Sequence, residues 1–299
     1  MFNGALISVN GQLCLFPRIQ TAKQEAGVVD IPACIGVYHV YPQTWAAEQV
    51  NSIPVEVLQG NMQKIFPEDL RGIVIDPTGT IMFGLTAADV KGNPHAAILT
   101  AKPPFKPEDF SPMEVLTDLP LMKNIMPLSP TVIAGRPEIA RGNKHTILFA
   151  TKNEDSKKWQ ITGSTTFPDV PWVGENGNFG LVGWNERVPI PGKPGYFRFL
   201  VHGCKKENDI AEYAIGLAEA YERPDKTFTI IAVDKKPLLT YKEATRGIVG
   251  HEPDPHKRVI YSVGGVVTDD EVKLPVTLFD NQIHLFGIPR AEMLRVFSQ

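Results

Sequence analysis

The sequence repeats one short pattern five times: an apolar segment, a tight turn, and a second apolar segment that ends in a polar residue. Gly and Pro, 25 and 26 of the 299 residues, recur between these segments instead of clustering in one linker. Short β-branched runs bounded by turn residues predict strands, and two runs joined by an Asn-Gly-like turn predict a β-hairpin. The copies are residues 4–18, residues 72–86, residues 137–152 with a turn at 142–143, a segment from about 180 to 202 with a turn at 192–195, and residues 264–280.

The spacing of these copies constrains the fold more than any other feature. Their starts give a period of about 60 residues, and a four-stranded propeller blade needs about 40–60. Five such units use the whole chain. We therefore predict an all-β fold, a five-bladed β-propeller formed by residues 1–299 as one domain. A pair of β-sandwiches is the alternative, but it explains neither the fivefold count nor the shared polar strand end.

Composition excludes several classes of protein. Hydrophobic residues make up 43% and charged residues 21%, which is typical of a chain with a large core. The net charge is -3 without a Lys/Arg cluster, so we expect neither a nucleic-acid partner nor a membrane partner. Three cysteines, the absence of a long apolar run and the absence of a secretory signal predict a cytoplasmic protein. A homo-oligomer is compatible with these features.

The polar strand ends predict where a ligand binds. Arg18, Thr86 and His202 each lie seven residues after the turn glycine of their hairpin. If the blades surround a central axis, equivalent positions face one shared depression, and polar side chains there would converge on a ligand. The alternative is that these strand ends are polar only because they are exposed to solvent.

Helical signals are sparse. Apolar residues between 209 and 221 recur with a period of 3.6, which predicts an amphipathic helix. Residues 289–297 predict a short helix with Pro at its first position. The glycines at 174, 177 and 180 predict a flexible loop, since no helix follows to receive a phosphate. His251 and His256 are separated by two prolines that prevent a shared helix face, so a solvated loop is favoured over a metal site.

Several short motifs occur along the chain in a specific order and spacing: Asn3-Gly-Ala, Arg18, Glu68-Asp69-Leu70-Arg71, Lys123-Asn124, Pro137-Glu138, Val201-His202-Gly203, Tyr213-Ala-Ile-Gly216, Gly264-Gly-Val-Val and Asp280. Their order and spacing resemble glycoside hydrolase family 130, the mannoside phosphorylases and related β-mannosidases, which are five-bladed propellers. The resemblance spans essentially the whole chain and implies a strand, not a helix, around Tyr213, and we favour the strand because it agrees with the count of blades.

The resemblance also implies roles for single residues. Asp69 matches the proton donor to the glycosidic oxygen. Four residues match positions that hold the sugar: Asn3, Arg18, Lys123 and Asp280. His202 and Tyr213 match a phosphate-binding pair, in which a protonated imidazole and a hydroxyl would supply two donors, and His95 falls near a phosphate-binding Arg of the family. A phosphate dianion needs at least one further Arg or Lys, and Arg136 and Lys123 are the nearest candidates.

Three departures from the family pattern bear on the activity. Leu70 replaces a Pro, Ile139 stands where the family has a sugar-contacting Lys, and His95 replaces the Arg. An inverting glycosidase needs one acid for the leaving oxygen, and phosphate as the attacking group needs no second carboxylate as a base. The resemblance therefore implies phosphorolysis of β-mannosides to mannose 1-phosphate, with inorganic phosphate as co-substrate and no cofactor or metal. A β-mannoside hydrolase and a non-catalytic carbohydrate-binding propeller are the alternatives.

Overall fold

Five predominantly antiparallel sheets in the computed structural model confirm the five-bladed β-propeller. The structure describes residues 2–19, 34–59, 66–89, 91–138, 145–173, 177–207, 210–246, 248, 257–278 and 282–298. Among these residues, no helix is long and apolar enough to cross a membrane.

Each blade begins with an inner strand at the propeller axis and adds strands outward. The first three blades have four strands each in simple succession. Blade 1 contains β1 (Phe2–Val9), β2 (Gln12–Ile19), β3 (Cys34–Val40) and β4 (Ala47–Pro54). Blade 2 contains β5 (Phe66–Val74), β6 (Ile81–Ala88), β7 (Pro94–Ala101) and β8 (Glu114–Val115). Blade 3 contains β9 (Met122–Ser129), β10 (Val132–Pro137), β11 (Thr146–Lys152) and β12 (Trp159–Thr166).

The last two blades are less regular. Blade 4 contains β13 (Asn178–Leu181), β14 (Val188–Pro189), β15 (Tyr196–Glu207), β16 (Ile210–Glu222), β17 (Phe228–Val233), β18 (Leu239–Thr240) and β19 (Lys257–Arg258). Blade 5 contains β20 (Ile260–Tyr261), β21 (Val266–Val267), β22 (Glu271–Leu278) and β23 (Gln282–Pro289). The helices are single turns: α1 (Val55–Gln59), α2 (Tyr241–Ala244), α3 (Arg290–Met293) and a 3-10 turn (Pro107–Asp109).

The predicted hairpins of blades 1, 2, 4 and 5 are present as β1–β2, β5–β6, β14–β15 and β21–β22. In β1–β2, Asn10 and Gly11 both have positive φ, 51° and 82°, as a type I′ turn requires. The prediction for blade 3 was displaced by one strand. Its inner strand is β9, so residues 137–152 join the second and third strands instead of forming the inner hairpin, and the turn at 142–143 lies outside the described residues.

The helix indicated by the 3.6 period at 209–221 was wrong, and the strand that the resemblance and the blade count favoured is confirmed. β16 is a central strand that pairs with β15 on one side and with β17 on the other. Its residues 214–220 are all buried, so apolar side chains occupy both faces and blur the alternation expected of a half-exposed strand. The predicted C-terminal helix is shorter than expected and ends at Met293.

Candidate active site

A cleft of about 370 Å³ opens at the end of the propeller axis, and the inner strands of all five blades contribute to it. We call it the axial cleft. It is lined by Asn3, Asp69, Lys123, Asn124, Arg136, Asn178, His202, Lys206, Ala211, Tyr213, Val259 and Tyr261.

Three inner strands present their site residue from an unusual backbone conformation. Asn3, Asp69 and Asn124 have φ of 50°, 57° and 56°, a left-handed region in which Asn and Asp are enriched among non-glycine residues. Each lies where the pairing with the second strand shifts register. Bulges of this kind redirect a side chain, and they are common beside active sites. In these three blades, the bulge in the inner strand thus directs one polar side chain into the cleft.

The carboxylate of Asp69 is held by two donors from other blades. The Nδ2 of Asn3 donates to Oδ1 at 2.6 Å, and the hydroxyl of Tyr261 lies 3.0 Å from Oδ2. Both contacts join strands that are distant in sequence, so the carboxylate has a fixed orientation before any ligand arrives. Preorganised contacts of this kind are what proton transfer to a bound substrate requires.

Arg71 fills the axis beneath the cleft and is 1% exposed. Its Nε donates to the carbonyl of Val182 at 3.0 Å, its Nη1 to the carbonyl of Asp69 at 3.0 Å, and its Nη2 to the hydroxyl of Tyr261 at 2.9 Å. One guanidinium therefore connects the inner strands of blades 2, 4 and 5. Burial raises the pKa of Tyr261, so its hydroxyl stays protonated.

Glu186 is also fully buried, below the level of the cleft. Its Oε2 accepts a hydrogen bond from the backbone N–H of Gly265 at 3.4 Å. Burial raises its pKa to about 7, and the charge of Arg71 acts against that shift. Since it does not line the axial cleft, it is not a second carboxylate for the site.

Three cations line one side of the axial cleft, and we call them the basic wall: Lys123, Arg136 and Lys206. Nη1 of Arg136 donates to Oδ1 of Asn178 on the next blade. Nζ of Lys123 lies 3.4 Å from the carboxylate of Glu138, an exposed residue at the rim. Among the described lining residues, Asp69 is the only carboxylate, so the cleft favours an anion on the side of the basic wall.

His202 lies in the floor of the axial cleft and is 2% exposed. Burial lowers its pKa well below 6.5, and the charges of Arg71 and Arg136 lower it further. The imidazole is therefore neutral at pH 7. Its Nδ1 is buried without a hydrogen-bond partner among the described residues, while Nε2 lies 3.5 Å from Nδ2 of Asn124.

Gly180 makes room for the His202 ring. A Cβ at position 180 would overlap the imidazole and lie 2.6 Å from Nδ2 of Asn124. We expect Gly180→Ala to lower the free energy of unfolding by about 1–3 kcal/mol, because the two side chains must move in a packed floor. Urea denaturation measures this loss. Gly163→Ala is the matched control, since its Cβ would meet only Phe149 at 3.8 Å, and a loss of equal size there would contradict the explanation.

The structure brings together five of the residues that the sequence singled out. Asn3, Asp69, Lys123, His202 and Tyr213 all line the axial cleft.

Other predicted site residues lie elsewhere. Arg18 is not among the lining residues, and its guanidinium lies 3.7 Å from the carboxylate of Glu68. His95 also lies outside the lining, on β7, with Nε2 3.5 Å from the carboxylate of Asp89. Because that carboxylate would repel a phosphate, the position does not suit the predicted contact.

Asp280 and Ile139 lie outside the described residues, as do Gly174 and the segment 251–256. Gly180 belongs to β13 and not to a loop, because it pairs with His202 of β15. Leu70 is 1% exposed and packs in the core, so this departure from the family pattern points away from the cleft.

The repeated polar position has a structural role that the sequence did not reveal. In each blade, the polar residue at this position of the second strand contacts the inner strand of the next blade. The five contacts are Arg18 with Glu68, Thr86 with the N–H of Asn124, Arg136 with Asn178, the His202 ring with the Tyr261 ring, and Thr277 with the N–H of Asn3. Thr86 and Thr277 thereby satisfy backbone groups at two of the bulges. The position therefore joins neighbouring blades in a ring around the cleft.

Sequence reasoning named Arg136, with Lys123, as a candidate donor to phosphate, and it noted Asn124 only as part of a motif. It did not select Tyr261, Arg71, Asn178 or Lys206 as site residues. One signal was available for Arg71, a charged residue inside an apolar strand two positions after Asp69. Tyr261 belongs to a two-residue strand that carries no periodicity.

No protein-family model matches the chain, and no curated protein matches it in sequence. Solved structures do match it. The β-1,2-mannobiose phosphorylase from Listeria innocua, in complex with β-1,2-mannobiose, is 15% identical with a TM-score of 0.59, and the match covers 98% of this chain and 90% of that one. A GH43_1 enzyme from Xanthomonas citri, complexed with xylose, is 11% identical with a TM-score of 0.54, covering 95% and 86%. Xylan β-1,4-xylosidase from Bacillus halodurans C-125 is 14% identical with a TM-score of 0.54, covering 92% and 48%.

The fold is thus a five-bladed propeller of the kind found in glycoside phosphorylases and glycoside hydrolases. The mannobiose phosphorylase among these structures agrees with the resemblance of the sequence to glycoside hydrolase family 130.

Proposed function

We propose that the protein is an inverting phosphorylase of β-mannosides that uses inorganic phosphate and releases mannose 1-phosphate. One observation carries the proposal: the described lining of the axial cleft combines a single carboxylate, Asp69, with the three cations of the basic wall. A hydrolase of the inverting type needs a second carboxylate to activate water, whereas phosphate is itself a nucleophile. The mannoside class rests on the sequence resemblance, supported by the likeness to a mannobiose phosphorylase.

Each side of the cleft has a chemical task in this proposal. Asp69 gives its proton to the glycosidic oxygen as the bond from that oxygen to the anomeric carbon breaks. Phosphate attacks the same carbon from the opposite face, so the configuration inverts. Asn3 orients the Asp69 carboxyl group through its 2.6 Å hydrogen bond.

Phosphate would bind against the basic wall. Lys206 and Arg136 supply charge-assisted hydrogen bonds, and the hydroxyl of Tyr213 supplies a neutral donor. His202 is neutral in the free protein, so its contribution is an N–H donor and not, as the sequence suggested, a protonated imidazole. A dianion would raise the pKa of His202, because an opposite charge favours the protonated ring.

The direct test is incubation with β-1,2-, β-1,3- and β-1,4-mannobiose, with and without phosphate, followed by ³¹P NMR. The proposal expects mannose 1-phosphate and no cleavage without phosphate. Equal cleavage in phosphate-free buffer would identify a hydrolase. Absence of turnover with every glycoside, together with sugar binding, would identify a carbohydrate-binding propeller.

Two neighbouring lysines offer a matched pair of variants. Lys206 lines the axial cleft, whereas Lys205 pairs with Glu207 at 2.9 Å and lines a separate cavity on the other face of the β15–β16 hairpin. We expect Lys206→Met to raise the KM for phosphate by about 10-fold or more, the scale of a lost hydrogen bond to a charged group, with little change in the KM for the sugar. Lys205→Met should leave both constants unchanged. Equal effects of the two variants would argue against phosphate at the basic wall.

A further inference from the structure

The hydroxyl of Tyr261 has more potential partners than it can satisfy at once. Nη2 of Arg71 lies 2.9 Å from it, Oδ2 of Asp69 lies 3.0 Å away, and Oδ1 of Asn124 lies 2.8 Å away. Arg71 can only donate, so it occupies a lone pair of the phenol oxygen. The single O–H can therefore donate either to the carboxyl group of Asp69 or to the amide oxygen of Asn124, but not to both.

The protonation state of Asp69 determines which of the two groups accepts this hydrogen bond. An ionised carboxylate is the stronger acceptor, so the hydroxyl turns toward Oδ2 when Asp69 has lost its proton. When Asp69 is protonated, the amide oxygen of Asn124 is the better acceptor. The phenol oxygen itself stays in place, because Arg71 is 1% exposed and is held by the carbonyl of Val182 in blade 4 and by the carbonyl of Asp69 on its own strand.

The alternative acceptor is fixed as well. Asn124 has a φ of 56°, its backbone N–H is held by Thr86 at 3.1 Å, and its side chain is 5% exposed. Rotation of one O–H bond between two fixed acceptors needs no backbone movement and no water. It therefore costs little reorganisation at the moment when the charge on Asp69 changes.

We propose that Tyr261 is a positioning residue that stabilises the Asp69 carboxylate as it forms during proton transfer, by turning its O–H from Asn124 to Asp69. The inference rests on the proposed role of Asp69 as proton donor. In the step, the O–H bond of Asp69 breaks, the proton passes to the glycosidic oxygen, and the electron pair stays on the carboxylate. The O–H bond of Tyr261 does not break. The interaction strengthens only as the transition state is reached, so it acts on kcat more than on KM.

Leaving-group acidity separates this role from a structural one. A mannobiose needs protonation of the departing sugar, whereas a 2,4-dinitrophenyl β-mannoside does not, because its phenolate leaves unaided. We expect Tyr261→Phe to lower kcat on mannobiose by about 10- to 100-fold, the scale of a lost hydrogen bond to a charged group, and to leave kcat on the aryl mannoside within about threefold. Tyr196→Phe is the matched control, since Tyr196 lies at the far end of β15 and packs against Tyr221.

Two outcomes would overturn the inference while leaving the proposed function intact: unchanged turnover of mannobiose by Tyr261→Phe, or equal losses on both substrates. If the wild-type protein cleaves neither substrate, the proposed function fails instead. The coupling of the hydroxyl to Asp69 is then decided by a measurement that needs no turnover.

That measurement is ¹³C NMR of protein labelled at the tyrosine Cζ, with Tyr261→Phe assigning the resonance. The groups that face Tyr261 are Asp69 and Arg71 from β5, Asn124 from β9, His202 from β15 and Tyr213 from β16, with the charge of Arg136 on β10 nearby. We expect the resonance to shift as the pH is lowered and this shift to vanish in Asp69→Asn. A shift that persists in Asp69→Asn comes from another titrating group, such as His202 or Glu68, and overturns the inference, as does the absence of any shift.

Discussion

Asp69→Asn is expected to lower the turnover of a β-mannobiose by about 10² or more, the usual scale of a general-acid contribution. The amide keeps the size of the carboxyl group, and its oxygen can still accept from Asn3 while its NH2 group faces the oxygen of Tyr261, but it has no acidic proton to give to the glycosidic oxygen. Release of mannose 1-phosphate measures the turnover, and circular dichroism verifies that the variant is folded.

Asp118→Asn provides the same chemical change at an exposed position between β8 and β9, and it should retain wild-type turnover. An Asp69→Asn variant with near-normal turnover would remove Asp69 from the mechanism. Equal losses in both variants would point to an effect on the protein as a whole.

Arg71→Met should lower the free energy of unfolding by about 3–5 kcal/mol, the scale found when one partner of a buried charged network is removed. Methionine approximates the length of the side chain but leaves the carbonyls of Asp69 and Val182 and the hydroxyl of Tyr261 without their donor. Each buried polar group without a partner costs about 1–3 kcal/mol. Urea denaturation measures the change, with a two-state transition checked by two spectroscopic probes.

Arg258→Met is the control for this experiment. Arg258 is about half exposed and pairs with Glu212 at 2.8 Å, so its removal should cost at most about 1 kcal/mol. A similarly small loss for Arg71→Met would show that the axial guanidinium does not hold the three blades together.

Local signals were sufficient for much of the fold. Turn residues such as Asn10 and Gly11 set hairpin positions, because their positive φ values are available to few other residues. The repeated polar position also marked Thr86 and His202 correctly as equivalent residues on second strands. Blade 3 was misplaced because its inner hairpin turns at Pro130-Thr131, which lacks the glycine signal of the other turns.

The site could be predicted only in part, because its decisive contacts join residues that are far apart in the chain. The bond from Arg71 to Tyr261 spans 190 positions, and the bond from Tyr261 to Asn124 spans 137. The neutral state of His202 depends on burial and on two arginines from other blades. No local sequence pattern indicates contacts over such separations along the chain. The family resemblance located Asp69 and His202 in the cleft because it compares the order of motifs over the whole chain.

The contacts that link each second strand to the next inner strand form a closed cycle, since Thr277 in the last blade binds the backbone of Asn3 in the first. A linear stack of repeats can fray from either end, one unit at a time. A cycle has no end, so a blade can leave only by breaking two interfaces together. We therefore expect the amide protons of β1 and β22 to exchange with solvent no faster than those of β5 and β9, although the first pair lies near the chain termini.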